Sequence, residues 1–459
     1  MTQDEIIGKY NVPVPRYTSY PPANLFAETY TGEDYKRDIL ASNGVGSRSL
    51  SFYVHIPFCK NICHFCACNR VLIPADRREV SDYVSYLGRE FGLVRPLIDP
   101  ERRISQIHFG GGSPTAIAPE YIGGVIEMLA GAFALAPGAE VAIEVHPGFL
   151  RWQEWKRLLN MPFTRYSIGV QDLHADVLRL AGRIAPRESV AEIVAEIHGA
   201  GKRVNLDFVY GLPGQTVESF ADNMAQVLEI RPDRVVTFSY AHVPWLHPGQ
   251  RVLEEYGLPT PEIKQSMYDR AAEMMTGAGY VQIGLDHFVV PDDPLAVALR
   301  SHSLHRNFQG YCPRDLSGQV YGLGVTGIAQ LHDAYAQNTK LIPEYYEAID
   351  QRRLPTKVGY KLTPEECLAR DIITELMCNY RTAPLESAKN YGLYPNRLRD
   401  LKILNFARLE EMIQDGLVTV DDAMALTISS ECHPFVRNVA SCFDVHYSPD
   451  QPRGYSKPI

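Results

Sequence analysis

Six short apolar runs alternate with stretches of helical periodicity between residues 51 and 240. The runs are Ser51–Phe58, Ile104–Phe109, Glu140–Val145, Arg165–Val170, Arg203–Val209 and Arg234–Tyr240. The helical stretches between them include Ser81–Leu97, Glu120–Phe133, Gln153–Asn160, Ser189–Ala200 and Ser219–Leu228. Apolar strands separated by helices predict an α/β fold with a parallel sheet covered by helices. An open doubly wound sheet and a barrel both satisfy this pattern.

Polar residues or glycines lie at the end of each apolar run or just after it. They are Cys59, the run Gly110–Gly112, Glu144 with His146, Gln171 with Asp172, Asp207, and Tyr240 with His242. Any one of them is equally well explained as a turn residue or a helix cap. Because barrel enzymes carry their chemistry at the C-terminal ends of the strands, the six together favour a partial (β/α)6-type barrel.

The remaining sequence predicts two further regions around the barrel. Residues 1–50 form an N-terminal arm with one helix over Gly32–Ala41. The barrel is assigned to residues 51–345, where the loop-rich stretch 290–345 is expected to cover its mouth. Residues 346–459 predict a smaller, mostly helical, winged-helix-like C-terminal domain. A helix over Pro343–Gln351 is predicted at the start of this domain. Helices over Pro364–Met377 and Pro395–Gln414 follow, and then strands over 416–420 and 426–428.

Charge and hydropathy exclude several classes of protein. The net charge is −9 and no basic run is present, which argues against a nucleic-acid-binding protein. No apolar run approaches the roughly 20 residues of a membrane helix, so we expect no membrane partner. The first residues, MTQDEIIGKYNVPVPRYTSYPP, lack the pattern of a secretory signal. A cytoplasmic location is therefore expected.

Four of the nine cysteines fall within ten residues, in the segment YVHIPFCKNICHFCACN. Three residues separate Cys59 from Cys63 and two separate Cys63 from Cys66, so three thiolates can converge on a 4Fe–4S cubane. A structural zinc site is disfavoured because zinc usually takes two pairs of close ligands. A redox dithiol is disfavoured because the run has four cysteines. A cubane with three cysteine ligands leaves one iron open to a small molecule.

This spacing, after a strand that ends in His55-Ile56-Pro57-Phe58, resembles the motif of the radical S-adenosylmethionine superfamily. The superfamily's fold is a partial or full (β/α) barrel. Phe65 matches the aromatic position that lies near the adenine in that superfamily. The segment HFGGGSPT resembles its GGE-type motif, which meets the amino group of the methionine moiety. A glycine run by itself is more commonly a tight turn.

A narrower resemblance extends over about residues 9–445. PRYTSYP, YVHIPFCxxxCxFCxCN, HFGGGSPT, SIGVQD, NLDFVYGLPGQT, YAH, GLDHFVVPDD, HRNFQGY and RNVASCFD are similar to segments of the oxygen-independent coproporphyrinogen III oxidases. The resemblance implies a 5′-deoxyadenosyl radical mechanism that takes a hydrogen from the β-carbon of a propionate. Carbon dioxide then leaves and an external acceptor takes the last electron, which gives a vinyl group. Two rounds convert coproporphyrinogen III to protoporphyrinogen IX in haem biosynthesis.

Site residues follow from this resemblance position by position. The cluster would be held by Cys59, Cys63 and Cys66, and one S-adenosylmethionine by Tyr53, Phe65, Gly111, Glu144 and Ile328. A second S-adenosylmethionine would be met by Gly112, Ser113, Gln171, Arg183, Asp207 and Ala241. Arg183 is expected to make no thiolate contact, being distant in sequence from the cysteines. Cys68 matches an extra cysteine that is not a ligand, and a catalytic role and a buried apolar role both stay open.

The four propionates of the substrate predict arginine or lysine partners, for which Arg16 and Arg306 are candidates. The resemblance also implies an electron donor such as flavodoxin or ferredoxin, and a monomer. Some positions depart from the family: EVDP reads EVHP here, and Ile184-Ala185-Pro186 replaces a more polar stretch after Arg183. We expect His146 to be a structural group rather than a base.

Two other functions remain open at this point. A haem chaperone related to this family is disfavoured because such proteins lack the fourth cysteine and generally the PRYTSYP arm, and both are present here. A radical methyltransferase acting on a tetrapyrrole would use two S-adenosylmethionine molecules chemically, and the residues of the paired cofactor site are compatible with it.

Overall fold

The structure is a computed structural model, and it describes residues 3–448. The α-helices are α1 (Gln3–Tyr10), α2 (Gly32–Ser42), α3 (Arg77–Val94), α4 (Pro119–Ala132), α5 (Trp152–Leu159), α6 (Ala175–Leu180), α7 (Val190–Gly199), α8 (Val217–Ile230), α9 (Pro261–Gly277), α10 (Pro294–Arg300), α11 (Ile342–Asp350), α12 (Pro364–Asn379), α13 (Pro384–Lys389), α14 (Phe406–Gln414) and α15 (Val436–Ala440). The strands are β1 (Ser49–Ile56), β2 (Phe58–Cys59), β3 (Val71–Leu72), β4 (Arg103–Gly111), β5 (Leu135–Val145), β6 (Arg165–Gln171), β7 (Arg203–Tyr210), β8 (Arg234–Ser239), β9 (Val281–Ile283), β10 (His287–Val289), β11 (Leu304–Asn307), β12 (Gly310–Pro313), β13 (Gln319–Leu323), β14 (Ile328–Gln330), β15 (Ala334–Asn338), β16 (Thr356–Lys361), β17 (Arg381–Thr382), β18 (Val418–Val420) and β19 (Leu426–Ile428).

A twelve-stranded sheet forms the centre of the protein, in the order β16-β15-β14-β13-β1-β4-β5-β6-β7-β8-β10-β9. The strands from β13 to β8 in that order are all parallel. The strands added at both ends are antiparallel, and the edge strands β16 and β9 do not pair with each other. The predicted α/β fold with a partial barrel is therefore confirmed.

All six predicted strands are present, as β1 and β4 to β8, with ends that differ by a few residues. One parallel strand was not predicted. The stretch 290–345 was expected to be a loop-rich cover, but it contains β13, which pairs with β1 and continues into β14 and β15. The sequence did not predict β13, because the strand is only five residues long and glycines stand next to both of its ends.

Helices pack on the outer face of the sheet and bury their apolar faces against the strands. Phe52 of β1 is fully buried and lies between Phe91 of α3 and Phe133, with ring centroids 5.8 and 6.1 Å away. Capping residues define the helix ends: the Thr216 side chain accepts a hydrogen bond from the backbone N–H of Ser219 at the start of α8. This packing fixes the strand ends that carry the site.

The first residues of the chain join the C-terminal part in a second core. Ile6, Tyr10, Tyr17 and Tyr20 are buried among residues of α12, α14 and α15. The hydroxyl of Tyr17 donates to the Asp444 carboxylate over 2.9 Å. Helix α2 instead packs against β15 and β16 of the large sheet. The N-terminal arm thus contributes to both cores.

The C-terminal part combines α12 to α15 with a three-stranded antiparallel sheet in the order β17-β19-β18. The strand β16 precedes these helices and pairs with β15 in the large sheet up to Lys361. The helix predicted over Pro395–Gln414 forms only from Phe406, where the Asn405 side chain caps α14 by accepting from the backbone N–H of Arg408. Of the helices in residues 3–448, none is both long enough and apolar enough to cross a membrane.

Candidate active site

The cysteine loop follows β1 and is held by backbone hydrogen bonds to three other segments. Cys59 lies in β2, which pairs with β3 so that Cys59 is opposite Leu72. The N–H groups of Gly112 and Ser113, at the end of β4, donate to the carbonyls of Ile56 and Phe58 over 2.9 Å. The N–H of His64 donates to the Ala181 carbonyl over 3.0 Å. A segment fixed in this way presents its side chains at defined positions.

The thiols of Cys59, Cys63 and Cys66 lie close enough to affect one another's ionisation. Burial, together with the charges of Cys66 and Cys63, raises the pKa of Cys59 to about 12. A hydrogen bond with the Cys68 thiol lowers the pKa of Cys66 to about 6. Loading of a metal group removes the protons from such thiols, so their affinity for it depends on pH.

Arg183 contacts this group of thiols directly. Its Nη1 donates to Cys63 Sγ over 3.4 Å, so the expectation that Arg183 makes no thiolate contact is wrong. The turn after α6 carries Arg183 back to the loop, a proximity that 120 residues of sequence separation concealed. A guanidinium here offsets the negative charge that bound thiolates would carry.

The chemistry of these donors fits an iron–sulfur cluster. Within residues 3–448, no three His, Cys, Asp or Glu side chains are arranged around a single metal ion. A cubane needs no such arrangement, because each thiolate binds a different iron. Three thiols on one loop provide the ligands. Burial raises the pKa of Cys63, and the charges of Arg183 and Arg70, which oppose that rise, provide part of the compensating charge.

Tyr53, Gly111 and Glu144 come together at the ends of β1, β4 and β5. Glu144 accepts hydrogen bonds from the N–H of Gly111 (3.3 Å) and from His108 Nε2 (3.0 Å). The Tyr53 ring stacks on the His108 ring with centroids 5.9 Å apart. Gly111 has φ +119°, and a Cβ there would lie 2.8 Å from the ring of His55. Only glycine fits this position. His55 and His108 were quoted within motifs, but their roles in the site were not predicted.

Gln171 and Arg183 meet at the end of β6. A Cβ on Gly169 would lie 2.7 Å from Gln171 Nε2 and 3.0 Å from Arg183 Nη2. Arg183 Nη2 also donates to the carbonyl of Gly169. Gln171 has φ +71°, and its buried Oε1 has no hydrogen-bond partner among the described residues. Buried acceptors are normally paired, so a ligand with a donor group is expected here.

Asp207 of β7 lies on the same end of the sheet and is fully engaged with its neighbours. Its carboxylate accepts from Ser167 Oγ over 2.9 Å and from Asn205 Nδ2 over 2.8 Å. Burial raises the pKa of Asp207 to about 6, and Glu144 contributes to the shift in pKa. Asp207 and Glu144 are therefore within electrostatic reach of each other.

Two of the remaining predicted residues lie toward opposite ends of the sheet, Ala241 after β8 and Ile328 in β14. Gln250 Nε2 donates to the carbonyls of Phe65 (3.1 Å) and Ala241 (3.3 Å), and so joins the cysteine loop to the segment after β8. Ile328 begins β14 on the other side, next to Gly322, which is paired with Tyr53. Gln250 had no sequence signal, because it lies in a helical turn outside every quoted motif.

The departures from the family pattern lie beside Arg183. The His146 ring stacks on Phe149 at 3.8 Å, and its Nδ1 accepts from the N–H of Gly148 over 3.2 Å. Burial and the charge of Arg183 lower the pKa of His146 to about 2, so the ring is neutral. Its buried Nε2 has no partner among the described residues.

Cys68 is exposed, and Arg70 Nη1 donates to its backbone carbonyl over 2.9 Å. Its hydrogen bond with Cys66 raises the pKa of the Cys68 thiol, and Glu144 adds to the increase. Cys68 is therefore within electrostatic reach of Cys66 and Glu144, and it is not a buried apolar residue.

A cavity of about 1510 Å³ adjoins these strand ends. Tyr210 of β7, three residues after Asp207 in the chain, lines this cavity. Tyr240, which follows β8 and directly precedes Ala241, lines it as well. Arg16 lines the cavity as well, whereas Arg306 lies beside a separate small pocket. Arg306 donates to the Thr18 carbonyl and lies 4.5 Å from the Tyr311 ring centroid.

Comparison with known proteins agrees with this arrangement. The Radical SAM superfamily matches residues 53–227. Oxygen-independent coproporphyrinogen III oxidase of Escherichia coli is 36% identical over 444 residues, which is 96% of this chain and 94% of that protein. The same enzyme of Synechocystis sp. is 35% identical over 445 residues, 96% of this chain and 94% of that protein.

A solved structure of coproporphyrinogen III oxidase from Escherichia coli, described as a radical SAM enzyme, superposes with a TM-score of 0.84. It is 35% identical in sequence and covers 94% of this chain and 97% of that one. The fold and the cysteine loop thus define a radical S-adenosylmethionine protein, with a 4Fe–4S cluster and S-adenosylmethionine as cofactors. Within that class, this chain belongs to the family of oxygen-independent coproporphyrinogen III oxidases.

Proposed function

We propose that this protein catalyses the oxygen-independent oxidative decarboxylation of two propionates of coproporphyrinogen III to vinyl groups, giving protoporphyrinogen IX. One observation carries the proposal: three thiols and a set of polar strand ends meet at the mouth of a partial barrel, beside a cavity of about 1510 Å³. The chain that builds this site is 36% identical to such an oxidase over nearly its whole length.

The residues of the cysteine loop and the neighbouring strand ends would hold the first cofactor pair. We assign the cluster to Cys59, Cys63 and Cys66, and the S-adenosylmethionine on it to Tyr53, Phe65, Gly111, Glu144 and Ile328. Together these cofactors supply hydrogen-atom abstraction when bound. The carboxylate of Glu144 and the backbone of the glycines lie at the position where the amino acid moiety would lie. Because the glycines have no side chains, these polar groups are not covered.

A second S-adenosylmethionine would lie on the β6–β8 side of the same mouth. We assign it to Gly112, Ser113, Gln171, Arg183, Asp207 and Ala241. Two features support the assignment: Gln171 Oε1 is a buried acceptor without a partner among the described residues, and Arg183 adds a cation beside it. A zwitterionic amino acid would satisfy both groups at once.

The overall reaction balances for each side chain. The propionate loses carbon dioxide from its carboxylate and one hydrogen atom from its β-carbon, and one further electron leaves for an external acceptor. The two carbons that remain form the vinyl double bond. The protein contributes position and exclusion of water, and Cys68, next to Glu144 and Cys66, is our candidate for an additional catalytic role.

The partners of the reaction follow from the same proposal. The cluster needs an electron donor, for which an acidic one-electron carrier such as flavodoxin or ferredoxin is suitable. We further propose that the protein is cytoplasmic and acts as a monomer, since one chain supplies every side chain that we assign to the cofactors.

The test is anaerobic reconstitution of the cluster, followed by incubation with coproporphyrinogen III, S-adenosylmethionine and a reductant. We expect a product lighter by two formic acid equivalents, each the loss of carbon dioxide and two hydrogens. A product heavier by methyl groups would instead identify a tetrapyrrole methyltransferase. Unchanged substrate that stays tightly bound would point to a haem chaperone, and either outcome would overturn the proposal.

A further inference from the structure

Apolar side chains are exposed to solvent around the cysteine loop. Val71 and Leu72 form the two-residue strand β3, and Leu72 is 58% exposed. Ile62, which lies in the loop between Cys59 and Cys63, is exposed as well. Soluble proteins commonly expose single apolar residues, whereas several of them around one loop are typical of an interaction surface.

This apolar surface lies directly beside a thiol that we assign to the cluster. Strand β3 runs parallel to β2, and Leu72 is the residue opposite Cys59. The N–H of Ile73 donates to the Cys59 carbonyl over 2.8 Å. Cys59 itself is buried, whereas Leu72 is not. A molecule that contacts Leu72 therefore comes close to a cluster ligand without displacing any residue of the loop.

A further exposed apolar residue, Ile184, is connected to the loop through Lys60. A Cβ on Gly148 would lie 2.9 Å from Ile184 Cγ2, so the two residues are in close contact. Phe149 follows Gly148, and its carbonyl accepts a hydrogen bond from Lys60 Nζ over 3.1 Å. Ile184 belongs to the stretch after Arg183 in which this chain is less polar than its family. The apolar character of that stretch thus adds to the surface around the cysteines.

Cations without ion-pair partners accompany these apolar residues. Arg77 and Arg187 are both exposed and lie within electrostatic reach of Lys60. Arg187 is fixed by a hydrogen bond from its Nε to the Gly148 carbonyl over 2.9 Å. Arg70 directly precedes β3, and its Nη1 donates to the backbone of the cysteine segment. Within residues 3–448, none of these four cations makes an ion pair.

Carboxylates also lie near this surface, but they are occupied elsewhere. Glu154, which is within electrostatic reach of Lys60, accepts a hydrogen bond from the N–H of Arg151 at the start of α5. Asp76 caps α3 and pairs with Arg78 at 2.9 Å. The unpaired cations are notable on a chain whose net charge is −9, because an acidic partner would be repelled by much of the remaining surface.

We propose that this face of the cysteine loop is the docking surface of an acidic one-electron carrier protein. The apolar part of this docking surface is formed by Ile62, Leu72 and Ile184, and its cations are Lys60, Arg77 and Arg187. The inference rests on the proposed function, which requires a donor for the cluster, and it assigns the residues that receive that donor. The carrier gives up one electron to the cluster, and no bond is made or broken in this step.

Both parts of the docking surface suit such a partner. The rate of electron transfer falls steeply with distance, so the carrier must bring its redox group close to the cluster, and contact with Leu72 does so. Exposed cations attract an acidic protein over long range and mainly increase its rate of association, which suits a complex that must form and separate in every cycle. None of the six residues lines the large cavity, so the carrier and a tetrapyrrole can bind at the same time.

The test uses the full chain with its cluster assembled, and reduced flavodoxin as the probe. Stopped-flow absorbance gives the second-order rate constant of cluster reduction for the wild type, Leu72→Asp, Arg77→Gln and the matched control Arg103→Gln. Arg103 is exposed at the opposite end of the barrel, where β4 begins. At low salt, we expect a decrease of about tenfold in Leu72→Asp and about threefold in Arg77→Gln, and no change in Arg103→Gln.

Reduction by dithionite distinguishes lost docking from a damaged loop. This small reductant needs no protein docking surface, so every variant should react with it at the rate of the wild type. A variant that is slowed equally with both reductants would have a damaged loop, and the wild type then decides. Its rate with flavodoxin should fall as salt is raised, because salt screens the exposed cations.

Two results would overturn the inference. One is a flavodoxin rate that is unchanged in both Leu72→Asp and Arg77→Gln, or that is independent of salt in the wild type. The other is a lower mass of Leu72→Asp in sedimentation with an unchanged flavodoxin rate, which would identify the surface as a contact between two copies of this chain. No tetrapyrrole is present, so a failure of decarboxylation leaves these results unaffected.

Discussion

The cysteine loop and the large cavity lie on neighbouring sides of one barrel mouth but are built in different ways. The loop takes its three thiols from eight consecutive residues and is held by backbone hydrogen bonds to β3, β4 and the end of α6. The cavity takes its cations from Arg16, Lys264 and Arg437, which only the tertiary structure brings together. Replacement of a cysteine in the loop should therefore abolish binding of the cluster. Replacement of a cation in the cavity should lower the affinity for a ligand only in part, by an amount that depends on salt.

The largest effect is expected in the loop. Replacement of Cys59, Cys63 or Cys66 by Ser should abolish the visible absorption of the cluster, because each thiolate holds a different iron. Cys68→Ser is the matched control, since it lies in the same segment and should keep its iron and sulfide while turnover is tested separately. Iron and sulfide analysis after anaerobic purification decides, and a full cluster in any of the first three variants would refute the assignment.

The support behind the loop should respond to pH. Glu90 is buried and accepts hydrogen bonds from Tyr345 (2.6 Å), Asn338 (2.6 Å) and the N–H of Gly324 (2.7 Å). This turn continues to Thr326, whose Oγ1 lies 3.3 Å from His55 Nδ1 behind the cysteine loop. Burial raises the pKa of Glu90 from 4.5 to about 7.

A raised carboxyl pKa means that the folded state binds more protons than the unfolded state between pH 4.5 and 7. The contribution of Glu90 to the free energy of unfolding is therefore full below pH 4.5 and is lost as pH rises toward 7. The wild type should lose about 3 kcal/mol relative to Glu90→Gln over this range. Denaturant titrations of the wild type and of Glu90→Gln at several pH values measure the two free energies of unfolding. If the difference between them did not change with pH, the shift in the pKa of Glu90 would be contradicted.

Arg183 contacts the cysteine loop and the end of β6, and its replacement should show an intermediate effect. Arg183→Ala removes the donor to Cys63 Sγ and the guanidinium that we assign to a second S-adenosylmethionine. We expect decarboxylation to fall on the order of 100-fold, as for two charge-assisted hydrogen bonds. The cluster should still assemble, because its three thiol ligands remain. Arg183→Lys keeps the charge but not the planar fork, and should recover only part of the rate.

The outcome for Arg183 is read from anaerobic single-turnover rates and from binding of S-adenosylmethionine by equilibrium dialysis. Loss of one of two bound equivalents would support the paired site. An unchanged yield of protoporphyrinogen would reduce Arg183 to a structural neighbour of the cysteines.

The smallest effect is expected at Arg306, the second arginine that the sequence suggested for the propionates. Its guanidinium is held by the Thr18 carbonyl and the Tyr311 ring outside the large cavity. Arg306→Gln should therefore change the affinity for coproporphyrin III less than about twofold, against about tenfold for Arg16→Gln. Equal losses in the two variants would mean that the ligand extends beyond the cavity toward the small pocket.

The sequence alone determined the repeating strands and the cysteine loop, because both depend on local pattern. Apolar runs of fixed length specify buried strands, and closely spaced cysteines such as Cys59 and Cys63 converge in almost any tight loop. Strand-end residues such as Glu144 and Asp207 could be named for the same reason, since parallel strands bring their C-terminal ends to one edge.

Only the tertiary structure decided which side chains face each other across long stretches of chain. The contact of Arg183 with Cys63, the bridge by Gln250, the strand β13 and the cations of the cavity all depend on packing between distant segments. A lone lysine such as Lys264 carries no pattern in the sequence, because only the folded chain brings it to the wall of one cavity with Arg16.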